Sequence, residues 1–417
     1  MNGPRSAICL LAVLAMGERA AGDAIDRLDS ALSVSALNDQ FRARLSGTLD
    51  LEDYHFSQPA PGVIDAEGAN LFNPRLTLFL DAQMGTQVYV FAQARADHGF
   101  DPNDEKSLTA RLDEYAVRFS PGTDGRFNLQ VGKFATVVGN WVPRHGSWDN
   151  AFVTAPLPYE NLTGIWDAEA ARSSAMVLYW ARVVPPRQVA GYEEDKYRQL
   201  PIIWGPSYTT GAAAFGEIGE MTYAAEVKNG SLSSRPGVWD DAGQLWRDPT
   251  VSGRLGWQPN EMWSLGVSAS SGTYLQESAE PTVPAGRSRS DYRETVLAQD
   301  LGFAWHHVQA WAEFYEARFA IPGVGDADTL AYYTELKYRV APQLALAVRW
   351  NQQFFSDFPD GAGGRVPWSP EKWRIDFAPA YRFTPHVQLK VQYSLEHDAV
   401  GPRRLSHLVA AQLTLRF

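Results

Sequence analysis

Apolar and polar residues alternate along much of this chain with a period of two. In a β-strand, successive side chains point to opposite faces, so this alternation predicts strands with one apolar face and one polar face. The end of the chain shows the pattern clearly: Val409, Ala411, Leu413, Leu415 and Phe417 share one face, and Gln412, Thr414 and Arg416 share the other.

The same pattern predicts sixteen strands, joined by short turns that alternate with long polar connections. An even strand count and unequal connections are typical of transmembrane barrels. A soluble β-sandwich would also alternate in any single strand, but this alternative weakens as strands accumulate. We therefore predict an all-β fold, a transmembrane antiparallel β-barrel of about 16 strands with a long inward-folded loop. The predicted strands are residues 41–53, 74–83, 86–97, 109–120, 126–138, 206–216, 220–229, 250–258, 262–273, 292–305, 307–320, 328–340, 343–355, 371–383, 386–397 and 404–417.

Two further segments leave a count of eighteen strands open. Residues 175–183 alternate like a strand, and residues 199–204 could pair with them. Pro185 and Pro186 lie between the two segments, and proline is disfavoured inside a sheet. The prolines favour a folded-in loop, and hence sixteen strands.

The N-terminus predicts export from the cytoplasm. Arg5 precedes a short apolar run at residues 7–16, and small residues follow, which is typical of a cleaved signal peptide and too short for a spanning helix. We assign residues 1–22 to the signal peptide, 23–40 to a periplasmic lead-in that is either a short helix or irregular, and 41–417 to the barrel. The single cysteine, Cys9, precedes the mature chain, so no disulfide or Cys-ligated metal is expected there.

The composition is acidic and rich in aromatic residues. The chain has 37 Lys and Arg against 48 Asp and Glu, a formal net charge of −11, and no basic run of the kind that binds nucleic acid. Its 14 Trp, 17 Tyr and 20 Phe accompany a polar mean hydropathy of −0.28. Aromatic girdles around a polar-lined barrel would produce this combination.

Several segments resemble known outer-membrane proteins. The final strand, which ends on Phe417, is similar to the closing strand of Gram-negative outer-membrane β-barrels. Val-Gly-Lys-Phe at residues 131–134, a turn at Gly139 and the long connection that follows resemble the phosphate-selective porin family. The hairpin formed by residues 214–216 and 221–230, with an Asn-Gly turn at its end, is also similar to that family. The resemblance implies a Gram-negative outer-membrane location, contact with outer-membrane lipid, and a homotrimer.

We predict that the longest connection, residues 139–205, folds inward and constricts the lumen. Sixteen strands enclose a water-filled space, so an unobstructed barrel would pass solutes without selection. The loop shows no excess of Arg and Lys, which a phosphate path needs, and phosphate specificity is therefore not supported. The candidate constriction and path residues are Arg144, His145, Trp148, Asp149 and Arg172 in the loop, and Arg42, Arg44, Asp81, Glu114, Arg118, Arg349 and Lys390 on the strands.

Two groups of residues allow alternative interpretations. The aromatic residues of the loop could stack on sugar rings or pack the loop against the barrel wall. Basic residues of the strands could form a cationic wall and a transverse field, or they could be satisfied lumen ion pairs. The aromatic set is Trp141, Trp148, Tyr159, Trp166, Trp180, Tyr192, Tyr197 and Trp204; the basic set is Arg42, Arg44, Arg95, Arg118, Arg254, Arg349, Arg374 and Lys390, opposite Asp81, Glu114, Glu313 and Asp376.

The predicted function is passive diffusion of small hydrophilic solutes or ions through an outer-membrane porin. The sequence has no phosphate-binding loop and no His/Cys metal pattern, so we expect no cofactor, no metal and no enzyme activity. His145, Ser147 and Asp149 supply the residue types of a hydrolase triad, but their spacing in a loop does not place a base on a nucleophile. An outer-membrane hydrolase and a non-conducting adhesin or scaffold barrel are the alternatives.

Overall fold

Sixteen antiparallel strands form the core of this protein. The computed structural model describes residues 31–57, 60–64, 66, 68–97, 109–182, 198–399 and 405–417. Within these residues each strand pairs with the next, and the last strand pairs with the first, which closes the barrel. The predicted fold class is confirmed. The predicted signal peptide and residues 23–30 of the lead-in lie outside the described residues.

We number the strands in chain order. A short strand, β1 (Ser33–Ala36), precedes the barrel. A small separate hairpin, β15 (Asp357–Pro359) and β16 (Arg365–Pro367), lies in a connection between two barrel strands. The barrel strands are β2 (Phe41–Phe56), β3 (Asn70–Met84), β4 (Val88–Asp97), β5 (Thr109–Phe119), β6 (Asn128–Phe134), β7 (Thr209–Ile218), β8 (Met221–Lys228), β9 (Thr250–Asn260), β10 (Trp263–Thr273), β11 (Arg293–Trp305), β12 (Val308–Ile321), β13 (Gly325–Arg339), β14 (Leu344–Phe355), β17 (Lys372–Thr384), β18 (Val387–Asp398) and β19 (Leu405–Arg416).

The few helices of the described chain are short and lie in the connections. They are α1 (Leu157–Glu160), α2 (Ser174–Arg182) and α3 (Ala242–Arg247), with 3-10 turns at Val142–Arg144, Pro236–Val238, Glu277–Thr282 and Arg289–Asp291. None of the described helices is long and apolar enough to cross a membrane.

The two ends of the barrel differ. At one end short turns join β3 to β4, β5 to β6, β7 to β8, β9 to β10, β11 to β12, β13 to β14 and β17 to β18, and we call this the short-turn end. The opposite, long-loop end carries most of the longer connections, including residues 135–208. This asymmetry is the one that the sequence predicts. The family-like Asn-Gly pair at residues 229–230 does not form a tight hairpin turn, because it starts a long connection after β8.

The strands direct polar side chains inward and apolar side chains outward. On β18, Lys390 and Gln392 are 1% and 0% exposed, whereas Val391 between them is 38% exposed. On β14, Arg349 is fully buried and Val348 is 39% exposed. A slip of one residue would exchange the two faces, so the predicted register of these strands is correct.

The lead-in differs from its prediction of a helix or an irregular segment. Strand β2 is longer than its partner β19, whose pairing ends with Arg416 opposite Thr48. The backbone of β2 beyond that point would be left without a partner on this side. Strand β1 pairs with it antiparallel, Ala36 opposite Phe41 and Ser33 opposite Arg44, and so supplies the missing hydrogen bonds.

The segment that alternates like a strand within the long loop is a helix. Residues 175–182 belong to α2, whose Val177, Leu178 and Ala181 are buried while Tyr179 is 59% exposed. Buried positions at i, i+1 and i+4 fit one face of a helix packed on a core. The count of sixteen strands is therefore correct.

Candidate functional site

The long connection turns into the barrel at Gly139, as predicted. Gly139 has a φ of +80°, a left-handed conformation that L side chains rarely adopt. A Cβ atom at this position would lie 2.2 Å from Tyr315 Oη and 2.6 Å from Tyr159 Oη. Glycine is therefore required where the loop passes these two tyrosines.

We expect Gly139→Ala to lower the free energy of unfolding by about 3 kcal/mol, because the substitution combines a strained φ with a steric clash. Gly286→Ala is the matched control: its φ is +81°, but a Cβ atom added there would have no other atom within 4 Å. The control should lose only about 1 kcal/mol. Urea unfolding in detergent measures both values, and equal losses would show that the two tyrosines do not enforce the turn.

Carboxylates on one side of the lumen hold the start of the loop. Glu114 on β5 accepts a hydrogen bond from the backbone N–H of Ala135 at 2.8 Å, and Glu313 on β12 accepts one from Trp141 at 2.7 Å. A third, Glu226 on β8, accepts a backbone N–H between these two at 3.3 Å. These carboxylates thus satisfy backbone donors that the loop would otherwise bury unpaired.

Lys390 on β18 holds the middle of the loop. Its Nζ donates to the backbone carbonyls of Ser147, Asn150 and Phe152 at 2.6, 3.0 and 3.3 Å. An ammonium group has three donors, and here all three find a loop carbonyl. All three hydrogen-bond donors of the Lys390 ammonium group are therefore used by the loop itself.

Two arginines extend this anchoring toward the long-loop end. Arg349 on β14 donates to the carbonyls of Thr154 and Ala155 at 3.1 and 3.2 Å and pairs with Asp376 at 2.8 Å. Arg374 on β17 also donates to the Ala155 carbonyl, and it forms an ion pair with a carboxylate of α1. Both arginines are buried. We call the wall residues Glu114, Glu226, Glu313, Arg349, Arg374 and Lys390 the loop clamp.

The sequence allowed two interpretations of the strand charges, a transverse field across the lumen or satisfied ion pairs, and the loop clamp agrees with each of them in part. Acidic and basic residues do lie on different parts of the wall, as a transverse field requires. However, the acidic members accept loop N–H groups and the basic members donate to loop carbonyls, so these charges fix the loop instead of facing an open lumen. Arg254 and Asp300, by contrast, form a simple lumen ion pair at 2.6 Å.

The tip of the loop, residues 146–150, lies between two cavities. One cavity of about 300 Å³ and one of about 550 Å³ are both lined by Trp148 and Asp149. The guanidinium carbons of Arg382 and Arg416 lie 4.8 and 5.3 Å from the centre of a ring of Trp148, within cation–π range. Both arginines lie near the ends of strands at the short-turn end, and the tip is thus held in that half of the barrel.

Basic residues dominate the lining of both cavities. The only side-chain carboxylates among the described lining residues are those of Asp50 and Asp149. In the described chain, Lys337, Arg339, Arg382 and Arg416 form no ion pair with a carboxylate, whereas Arg75, Arg95 and Arg144 do. The basic lining residues are Arg44, Arg75, Arg95 and Arg416 in the smaller cavity, and Arg144, Lys337, Arg339, Arg382 and Lys390 in the larger one.

The structure brings some of the predicted site residues together and separates others. Trp148 and Asp149 lie at the tip, and Arg144 and His145 come just before it. Arg44 and Lys390 lie on the surrounding wall, and Arg349 anchors the loop nearby. The other five predicted residues lie elsewhere. The backbone of Arg172 lies beside Gly323 at the long-loop end, and Arg42 lies 3.9 Å from Asp39. Asp81 accepts a hydrogen bond from Tyr89, Arg118 donates one to Gln130, and Glu114 belongs to the loop clamp.

His145 is buried beneath the tip. Its Nδ1 lies 2.5 Å from the Val142 carbonyl, and its Nε2 lies 2.6 Å from the Tyr208 hydroxyl. Burial lowers the pKa of His145, so the ring is neutral at pH 7, with Nδ1–H donating to Val142 and Nε2 accepting from Tyr208. Both ring nitrogens are thus engaged by groups other than Ser147 and Asp149.

Trp166, Trp180 and Trp204 of the loop pack a core in the long-loop half of the barrel, whereas Trp141 and Tyr159 belong to a second buried cluster. Trp166 and Trp180 stack with ring centres 4.2 Å apart and planes inclined by 6°. They belong to a buried cluster with Trp204, Phe319 and Trp368. Faces that cover one another are not available to a sugar ring. Tyr192 and Tyr197 lie outside the described residues.

Sequence reasoning missed Arg75, Lys337, Arg339, Arg382 and Arg416 as lining residues. The last four lie on strands close to the short-turn end, and their polar positions in the alternating pattern at that end were a usable signal. The described residues contain no group of three or more His, Cys, Asp or Glu side chains arranged to hold a metal ion.

A closed sixteen-stranded barrel with an inward-folded loop defines a porin-like outer-membrane barrel fold. No protein-family model matches the chain, and no curated protein matches it. Solved structures share the fold. The trimer form of OmpT, an outer membrane protein of Vibrio cholerae, has a TM-score of 0.54 at 7% identity, covering 91% of this chain and 100% of that chain.

Two channels give similar values. The anion-selective porin from Comamonas acidovorans has a TM-score of 0.54 at 10% identity, covering 90% of this chain and 100% of its own. The outer membrane channel DcaP of Acinetobacter baumannii has a TM-score of 0.53 at 9% identity, covering 92% and 100%. At such identities the likeness shows the fold alone, and membership of the phosphate-selective porin family stays a prediction.

Proposed function

We propose that this chain is a Gram-negative outer-membrane porin through which small hydrophilic solutes or ions diffuse passively, and that it prefers anions. The observation that carries the proposal is the lining of the two cavities beside the loop tip, where nine Lys and Arg residues but only two Asp or Glu side chains are found among the described residues, and where at least four of the nine cations form no ion pair. The anion-selective porin and the DcaP channel with the same fold support a channel function.

The preference for anions follows from where these cations lie. In a narrow space with little water, each charge acts over a short distance and with weaker screening than on an open surface. Lys337, Arg339, Arg382 and Arg416 form no ion pair with a carboxylate within the described chain, so none of the four is neutralised by a direct partner. The absence of a basic excess, which left phosphate specificity unsupported, concerns the loop alone, whereas the wall supplies these charges. Chloride and phosphate are both candidate solutes.

One observation favours a second candidate, a non-conducting barrel that serves as an adhesin or scaffold. The long-loop half of the lumen contains an apolar core that includes Trp166, Trp180, Trp204, Tyr274 and Trp368. Single-channel recording in planar bilayers separates the two candidates. A porin should give discrete current steps on insertion, and barrels that insert without any current would favour the scaffold.

Two further features belong to the proposal. The trimer form of OmpT supports a homotrimer, since that protein shares the barrel fold. We also propose that the chain is not a hydrolase, because both ring nitrogens of His145 are engaged by Val142 and Tyr208 and not by Ser147 or Asp149.

A further inference from the structure

Glu294, near the start of β11, is a buried carboxylate in the long-loop half of the barrel. It is 2% exposed, and its Oε2 accepts hydrogen bonds from Ser233 N at 3.2 Å and Ser233 Oγ at 2.8 Å. Ser231 Oγ lies 3.2 Å from Ser233 Oγ. One oxygen of the carboxylate is therefore surrounded by hydrogen-bond donors of the connection after β8.

The other oxygen, Oε1, is buried and has no hydrogen-bond partner in the part of the chain that the structure describes. Glu294 also takes part in no ion pair within the described chain, whereas buried Glu226 lies 3.6 Å from the ammonium of Lys228. A buried charge without a counter-ion is strongly destabilising. A protonated carboxyl group would remove the charge, but Oε1 would still have no partner within hydrogen-bond distance among the described residues.

A second unpaired oxygen lies on the same side of the sheet. Thr250 at the start of β9 is 2% exposed, and its Oγ1 has no partner among the described residues. Gly272 on β10 pairs with Glu294, and a Cβ on Gly272 would lie 2.0 Å from Thr250 Oγ1. The side chain of Thr250 thus fills the space over Gly272, on the strand that separates it from Glu294, and this places Thr250 Oγ1 on the side of the sheet where Glu294 lies.

We propose that Glu294, Thr250, Ser231 and Ser233 form a binding site for a small monovalent cation, with Na⁺ as the best fit. Carboxylate and hydroxyl oxygens are ligands of hard cations. A single carboxylate balances one positive charge, whereas a divalent ion would leave an excess charge buried. The ion would neutralise Glu294 and give Oε1 and Thr250 Oγ1 a partner. It would stabilise the barrel, and its binding is independent of whether the barrel conducts.

The test is the thermal unfolding midpoint of the full chain in detergent, measured in NaCl and in choline chloride of equal ionic strength. A ligand that binds only the folded state raises the midpoint with its concentration. We expect the midpoint to rise with Na⁺ and to remain unchanged when choline, which is too large for the site, replaces it. An identical midpoint in the two salts at every concentration would overturn the proposal.

Variants locate the effect. Glu294→Gln keeps the shape and removes the charge, so the Na⁺ dependence should be lost, while the exposed Glu261→Gln should keep it. If Glu294→Gln does not fold, Thr250→Val is the deciding variant, because it removes one ligand oxygen and leaves the hydrogen bonds from Ser233 intact. Thr250→Val should need a higher Na⁺ concentration than the parent for the same rise in the unfolding midpoint. Parent-like Na⁺ dependence in Thr250→Val and in any folded Glu294→Gln protein would overturn the assignment.

Discussion

Replacing Lys337, Arg382 and Arg416 together by Glu should convert the pore from anion preference to cation preference. The three side chains lie around the loop tip, and none has a carboxylate partner in the described chain. Each substitution exchanges a positive charge for a negative one where the pore is narrow and screening is weak. The reversal potential in a KCl gradient, measured in planar bilayers, should change sign.

The matched control carries the same charge change away from the lumen, with Arg126, Arg247 and Arg365 each replaced by Glu. These arginines lie in turns and connections and are exposed. The control should keep the parent's reversal potential to within a small shift. If the control and the lumen variant shift it equally, the overall charge of the protein sets the preference and the residues around the tip do not.

Lys390→Met should release the loop tip. The substitution removes the ammonium group that donates to Ser147, Asn150 and Phe152 and leaves three carbonyls without a partner. We expect a loss of about 2 kcal/mol in the free energy of unfolding, because hydrogen bonds from a charged donor are among the stronger ones. Single-channel currents should become noisier as the tip moves.

Lys337→Met separates anchoring from charge. Lys337 lines the same larger cavity but donates no hydrogen bond to the loop in the described structure. Its replacement should weaken anion preference, without the added current noise expected for Lys390→Met and with little loss of stability. Equal noise in the two variants would show that lost charge, and not a released tip, causes it.

The strand pattern was sufficient to predict the barrel. Alternation along β2, β14 and β18 follows from burial of one face of each strand, and it is visible without knowledge of the partner strand. Strand β1 could not be predicted in this way, because it forms to pair with the part of β2 that extends beyond β19. The unpaired part of β2 results from the difference in length between β2 and β19, and these two strands are far apart in the sequence.

The position of the loop was predictable, but its attachment was not. A lumen of this width and a connection of this length imply inward folding. The bonds from Lys390 and Arg349 go to backbone carbonyls, and every residue carries one, so the sequence does not show which carbonyls are chosen. The residues 175–183 illustrate the same limit, since short apolar segments fit a strand or a buried helix equally well.

The reversal potential of the unmodified protein in a KCl gradient tests the proposed function most directly. With the more concentrated salt on one side of a planar bilayer, a pore lined by Lys337, Arg339, Arg382 and Arg416 should pass chloride more readily than potassium. The potential at zero current should therefore have the sign set by chloride diffusion. A potential with the sign set by potassium diffusion would contradict the proposal that these cations control what passes.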